Sequence, residues 1–208
     1  LWPGYEEGEW SVQDRSAQAI APLLVPQHGD RILDACSAPG GKSTHIAELI
    51  GNKGEVWAVD RSKKRLNRLL ENINRLGSTC LKPLVADVLE ISSLRPEWRG
   101  YFNKILLDAP CSGLGTLSRH PDARWRMNPS KIKELVLVQS GLLTSLVPLL
   151  ASGGRFVYST CTIHPDENDL QILDFISKFP QFNIQYEDQI WPIQNDSGDG
   201  FYCAVLDN

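Results

Sequence analysis

The stretch that most constrains this chain is Asp34-Ala35-Cys36-Ser37-Ala38-Pro39-Gly40-Gly41-Lys42. Arg31-Ile32-Leu33-Asp34-Ala35 is a short apolar run of the kind that forms a buried strand. After the Pro-Gly-Gly turn, Ser43 to Ile50 carries apolar residues at 46, 47, 49 and 50, the spacing of a helix. Strand, glycine turn and helix make the first unit of a nucleotide-cofactor fold. The glycines let backbone approach a ligand closely, and the helix start offers free N–H groups. The motif is not G-x-G-x-x-G. Nor is it a phosphate loop, because Cys36 stands where that loop needs its first glycine. The plain alternative is a turn that only joins strand to helix.

Further strands and helices alternate behind this unit. Glu55-Val56-Trp57-Ala58-Val59-Asp60 reads as a second strand ending in an acid, and Asp60 follows Gly40 by 20 residues. That is the spacing at which a second-strand acid grips a cofactor ribose; the alternative is a helix N-cap, a role Ser62 also fits. Ser62 to Leu76 is an amphipathic helix whose Lys63, Lys64, Arg65, Arg68 and Arg75 read as a solvated face. Leu81 to Asp87 is a third strand, with Pro83 marking an edge. Asn103 to Ala109 is a fourth, leading into Pro110-Cys111-Ser112. A helix from about Pro129 to Leu150, a fifth strand Arg155 to Cys161, a helix Asp169 to Phe179 and a terminal strand Phe201 to Leu206 complete the pattern. Such alternation predicts a doubly wound, mostly parallel α/β sheet, in which ligands sit beyond the carboxyl ends of the strands. The Gly40-Gly41 turn, Asp60, Asp87, Asp108, Cys111 and Cys161 all fall at those ends.

At 208 residues the chain fits one domain, with residues 1–28 as a lead-in helix and loop and 29–208 as the core. Its net charge of −4 argues against a free-standing nucleic-acid binder, so such a role needs a local patch or another domain. The five cysteines, at 36, 80, 111, 161 and 203, form no C-x-x-C pair, which predicts neither a disulfide framework nor a zinc site. Without an obvious signal segment or long apolar span, a cytoplasmic chain with no membrane or metal partner is the expectation. Cys36, Cys80 and Cys203 read as small buried hydrophobes. Cys111 and Cys161 each lie where a strand gives way to a polar loop, and they share one cleft if the fourth and fifth strands are neighbours. Lys42, Arg119 and His120 are candidates to stabilise a thiolate there. A Cys-His protease is the rival reading, and it leaves the cofactor edge without a purpose.

These motifs together resemble the catalytic domain of the S-adenosylmethionine-dependent RNA 5-methylcytosine methyltransferases of the Nop/Sun family, the bacterial Sun branch above all, which modifies 16S ribosomal RNA. The matching stretches are Val12 to Gln18, Asp34 to Lys42, Val59-Asp60, Asp108 to Ser112 with Arg119 to Asp122, Tyr158 to Thr162 with Pro165, Glu167 and Asn168, and Asp199 to Phe201. The pairing of Pro-Cys-Ser with Ser-Thr-Cys is specific to that family.

The resemblance implies a seven-stranded Rossmann-like sheet with a terminal antiparallel strand, S-adenosylmethionine as cofactor and RNA as substrate. It places Cys36, Ser37, Ala38, Pro39, Gly40, Gly41 and Lys42 around the methionine part of the cofactor. Asp60 falls to the ribose hydroxyls, Asp87 to the adenine amino group, and Asp108 to the methyl and the target base. Cys161 is the implied nucleophile, and Cys111 the aid to product release; the residues alone leave the choice between them open. A monomer is expected, as is an N-terminal RNA-binding domain outside this sequence, which starts at Leu1 without a methionine. Trp125, between Arg124 and Arg126, reads either as a nucleotide clamp or as a pin for its own loop. The alternatives are transfer RNA as substrate, an inactive binding module, or a nicotinamide-dependent dehydrogenase on the same sheet.

Overall fold

A computed structural model of the chain describes residues 2–192 and 198–208. Its lead-in holds two single-turn helices, α1 (Arg15–Gln18) and α2 (Ile20–Leu23). The expected lead-in helix is thus broken at Ala19, and Asp14 caps its first turn through the N–H groups of Ser16 and Ala17. There follow β1 (Arg31–Ala35), α3 (Gly41–Leu49), β2 (Glu55–Asp60), α4 (Lys63–Leu76), β3 (Leu81–Val85) and a short α5 (Ile91–Leu94). Then come β4 (Phe102–Asp108), α6 (Ala123–Arg126), α7 (Pro129–Leu146), β5 (Leu150–Thr160), α8 (Asp169–Lys178), β6 (Asn183–Ile190) and β7 (Phe201–Asp207).

The strands form one sheet in the order β3-β2-β1-β4-β5-β7-β6. β1 to β5 pair in parallel, and β7 runs antiparallel to both β5 and β6. The strand order reverses between β1 and β4, the switch point where such sheets bind ligands. Pro83 lies on β3, an edge strand, where its missing N–H leaves no ladder bond unmade.

Alternation along the strands feeds two cores. Leu33, Ile105, Leu107, Phe156 and Tyr158 pack against Ile91 of α5, Leu142, Leu143 and Leu146 of α7 and Ile172 and Phe175 of α8. Their neighbours Ile32, Leu106 and Val157 point the other way, toward Ile20 of α2, Ile46 of α3 and Leu66 and Leu69 of α4. A strand buried on both faces reads as a continuous apolar run, which is why β1 and β4 stand out in the sequence.

Three sequence expectations need correction, and one strand goes unread in the sequence. β6 escapes the sequence reading because it is an edge strand, exposed along most of its length and rich in polar residues, so it has no apolar stripe to read. The expectation of no long apolar span fails over Pro129–Leu149, which reaches a mean hydropathy of 1.4. Those residues are mostly α7, which packs on the sheet through Leu142, Leu143 and Leu146. Asp87 stands two residues beyond β3 rather than in it, capping a 3-10 turn through the Leu89 N–H. The basic face of α4 is also not wholly solvated. Arg75 donates to the carbonyls of Tyr5 and Trp10 and lies 3.9 Å over the Tyr5 ring, clasping the lead-in to the core.

Candidate active site

The first half of the site is the loop after β1. Cys36 turns the chain with φ +62° and Gly40 with φ +107°. A Cβ on Gly40 would stand 2.4 Å from the Leu69 side chain, so both backbone and packing call for glycine. Gly41 opens α3, and a Cβ there meets only Gln13 at 3.7 Å. Asp60, only 3% exposed, accepts N–H groups from Ala38 at 3.2 Å and Ser62 at 2.8 Å, with the Arg65 guanidinium 3.5 Å away. Arg65 also donates to the Ala38 carbonyl. Asp60 therefore ties this loop to the start of α4, while Ser62 is the N-cap.

Cys36, Asp60, Asp87, Val88, Leu89 and Pro110 line a cavity of about 80 Å³ at the carboxyl ends of β1, β2 and β3. Its mostly apolar walls carry, beside Arg61 and Arg65, the Asp60 and Asp87 carboxylates, acceptors that suit the donor edge of a nucleoside rather than the whole of one. The buried Ser37 hydroxyl and one oxygen of the fully buried Asp34 have no partner among the described residues. Burial pushes Asp34 up to about 7, although the Ser43 hydroxyl donates to it. Burial, reinforced by the carboxylates of Asp60, Asp108 and Asp34, pushes the Cys36 thiol up to about 12, leaving it an unreactive wall.

The second half lies at the ends of β4 and β5, which are neighbours with Asp108 opposite Ser159. Cys111 Sγ and Cys161 Sγ lie 3.4 Å apart as free thiols. Their hydrogen bond splits them. It raises Cys111 well above the ordinary thiol value, with burial adding to the rise. It lowers Cys161, helped by the Lys42 charge and opposed by burial and Asp108. Lys42 Nζ reaches Asp108 Oδ2 at 2.7 Å and sits 4.9 Å from the centre of the Phe201 ring. Ser159 donates to the other Asp108 oxygen at 3.0 Å.

A buried network holds the two cysteine loops together. Glu167 accepts from Ser112 N at 2.8 Å, from the Ser112 hydroxyl and from Gln139 Nε2 at 3.0 Å. Asn168 accepts from the Thr160 hydroxyl at 2.7 Å and donates to the Thr162 carbonyl at 3.1 Å, bracketing Cys161. Gly115 N donates to the Cys161 carbonyl at 3.1 Å, and a Cβ on Gly115 would stand 2.0 Å from the Gly200 carbonyl oxygen. Glu167 and Asn168 lie within a family-matching stretch, but Gln139 carries no local signal. It is one polar residue on an apolar helix.

Of the other residues proposed to stabilise a thiolate, Arg119 is committed to Asp199 through two N–H donors, and His120 is exposed. Asp199 also accepts the Ser16 hydroxyl on its carbonyl at 2.8 Å, so residues 14–16, 119 and 199 meet at the mouth of the site. Trp125 is 85% exposed and does not pin its loop. Among the described residues, no group of three or more His, Cys, Asp or Glu side chains is placed to hold a metal ion.

Comparison with known proteins identifies the fold and the family. NSun6 from Pyrococcus horikoshii, solved with the S-adenosylmethionine analogue SFG, is 31% identical with a TM-score of 0.89, covering 99% of this chain and 55% of its own. A methyltransferase homolog protein from the same organism is 28% identical with a TM-score of 0.82, covering 99% and 70%. The fold is thus that of the S-adenosylmethionine-dependent methyltransferases, which removes the dehydrogenase and protease readings. Residues 21–207 match the model of the 16S rRNA methyltransferase RsmB/F family, and the chain belongs to that family. The ribosomal RNA small subunit methyltransferase B of Proteus mirabilis is 46% identical over 209 residues, 99% of this chain and 48% of the relative. A probable ribosomal RNA small subunit methyltransferase B from Synechocystis is 48% identical over 174 residues, 84% of this chain and 39% of the relative. The chain therefore spans under half the length of these curated relatives.

Proposed function

We propose that this chain methylates C5 of a cytosine in small-subunit ribosomal RNA through a covalent bond between Cys161 and C6 of the base. The observation that carries the reading is the pair of free thiols 3.4 Å apart, beside Lys42 and Asp108 and across from the cofactor loop. Cys36 to Lys42, Asp60 and Asp87 would hold S-adenosylmethionine, which supplies the electrophilic sulfonium methyl that C5 receives.

Cytosine C5 is a weak nucleophile. The Cys161 thiolate adds to C6, forming an S–C bond and leaving an enamine whose electron density lies at C5. Asp108, at the end of β4, would accept a hydrogen bond from the cytosine amino group, and its partner Lys42 would offer a cation against charge on the ring. After methylation a general base takes the C5 proton, its electron pair restores the C5–C6 double bond, and the S–C bond breaks with Cys161 departing as thiolate. Cys111 donates its S–H to that sulfur, which stabilises the leaving group. The base must leave its stack to enter this cleft, which favours looped or single-stranded RNA. The exposed ring of Trp125 offers a surface on which a neighbouring nucleotide stacks.

The test uses labelled cofactor and ribosomal RNA. Cys161→Ala abolishes methylation and the covalent RNA adduct, while Cys111→Ala lets the RNA-linked protein accumulate. An adduct formed by the Cys161→Ala protein overturns the assignment, and mapping the labelled nucleotide identifies the target.

A further inference from the structure

We propose that Glu167 is a positioning residue that keeps the proton on Cys111, so that Cys161 is the member of the pair that carries negative charge. Glu167 is fully buried, and no cation pairs with its carboxylate among the described residues. Its polar neighbours are all donors: Ser112 N at 2.8 Å, the Ser112 hydroxyl and Gln139 Nε2 at 3.0 Å. The hydroxyl chain has one consistent direction. Thr162 Oγ1 accepts from His164 N at 3.3 Å and donates to Ser112 Oγ at 2.7 Å, and Ser112 in turn donates to Glu167. A chain of donors ending on an acceptor is what a carboxylate buried without a cation needs to have its oxygens satisfied.

That charge is asymmetric with respect to the two sulfurs. Glu167 binds the backbone N–H of the residue next to Cys111, and its charge bears on Cys111 and on Tyr158. Cys161 instead faces Lys42 from α3 and Asp108 from β4, besides Cys111. Glu167 adds its negative charge on the Cys111 side, whereas on the Cys161 side the Asp108 carboxylate is paired with the Lys42 ammonium, and this leaves Cys111 as S–H donor and Cys161 as acceptor. In a buried site such charges act with little screening. The sequence offers two equivalent cysteines; this acid and Lys42 make them unequal.

The inference rests on the reading of Cys161 as the nucleophile, and it is tested without turnover. Iodoacetamide alkylation is followed at each cysteine by mass spectrometry across pH 6 to 10 on the full chain. In the wild type, Cys161 reacts first. Glu167→Gln lowers the Cys161:Cys111 rate ratio by about tenfold, the equivalent of one pKa unit, with S-adenosylmethionine affinity unchanged. Ser112→Ala removes a donor that screens the carboxylate, so it leaves that ratio unchanged or raises it. A merely structural role moves both variants the same way, and that result overturns the proposal. So does an unchanged ratio in Glu167→Gln. If Glu167→Gln does not fold, Ser112→Ala decides: a lowered ratio overturns the proposal. Methylation by Cys161→Ala would remove the nucleophile reading while leaving these ratios as they are, so the two ideas fail separately.

Discussion

Lys42 Nζ and Asp108 Oδ2 lie 2.7 Å apart, joining the first turn of α3 to the end of β4 across the point where the strand order reverses. The pair closes the gap between the cofactor loop and the two thiols. It sets beside Cys161 a cation that favours the thiolate and a carboxylate that opposes it.

Lys42→Met should therefore separate activity from stability. Asp108 keeps its bond from Ser159 and is partly solvated, so unfolding free energy falls by about 1 kcal/mol or less. The methylation rate constant falls by roughly 10²-fold, the scale of losing one stabilising donor at a reacting centre, and alkylation of Cys161 shifts to higher pH. Single-turnover methylation beside a urea melt reads both; a variant with wild-type turnover would show that the ammonium has no part in the reaction.

Gly40 and Gly41 should respond differently to alanine. Gly40→Ala combines a left-handed φ of +107° with a contact of 2.4 Å to Leu69, and it is expected to destabilise by about 2–4 kcal/mol. Gly41→Ala meets only ordinary contact and stays within about 0.5 kcal/mol of wild type. Thermal unfolding of the two proteins side by side is the measurement, and equal losses would contradict the loop geometry.

The staple at the mouth rests on Asp199. It is buried and takes two N–H groups from Arg119, so Asp199→Asn is expected to cost about 1–3 kcal/mol. Arg119→Lys should not substitute for the planar fork of the guanidinium. Loss of stability in the first and none in the second would refute the bidentate role; proteolysis of the 198–200 loop gives a local readout.

Asp34 makes stability depend on pH. Its carboxyl is raised from 3.8 to about 7 chiefly by burial, so the folded chain holds a proton that the unfolded chain has released between those values. Stability from this group is therefore greatest at low pH and falls as pH rises from about 4 to about 7. Asp34→Asn should match the wild type near pH 4 and exceed it at pH 8 by up to about 4 kcal/mol, at ~1.4 kcal/mol per pKa unit. Melts at the two pH values decide it, and a constant difference between the proteins would rule this group out.

The sequence by itself determined the parts that rest on local physics. β1, β2 and β4 were legible because strands buried on both faces carry short, nearly continuous apolar runs. The Gly40 turn was legible because glycine is punctuation, and the edge position of β3 because Pro83 cannot donate to a ladder. Pro-Cys-Ser and Ser-Thr-Cys marked both cysteines as chemical. β6 was not legible, since an exposed polar edge strand is defined by the neighbour it pairs with, here β7. Tertiary structure alone decided that the two sulfurs touch, that Arg119 serves Asp199 rather than a thiolate, and that Gln139 and Ser112 converge on Glu167 from points far apart in the chain. It also decided how Cys111 and Cys161 differ. The charge on a thiol is set by what is buried beside it, and neither Lys42 nor Glu167 is a sequence neighbour of the sulfur it acts on.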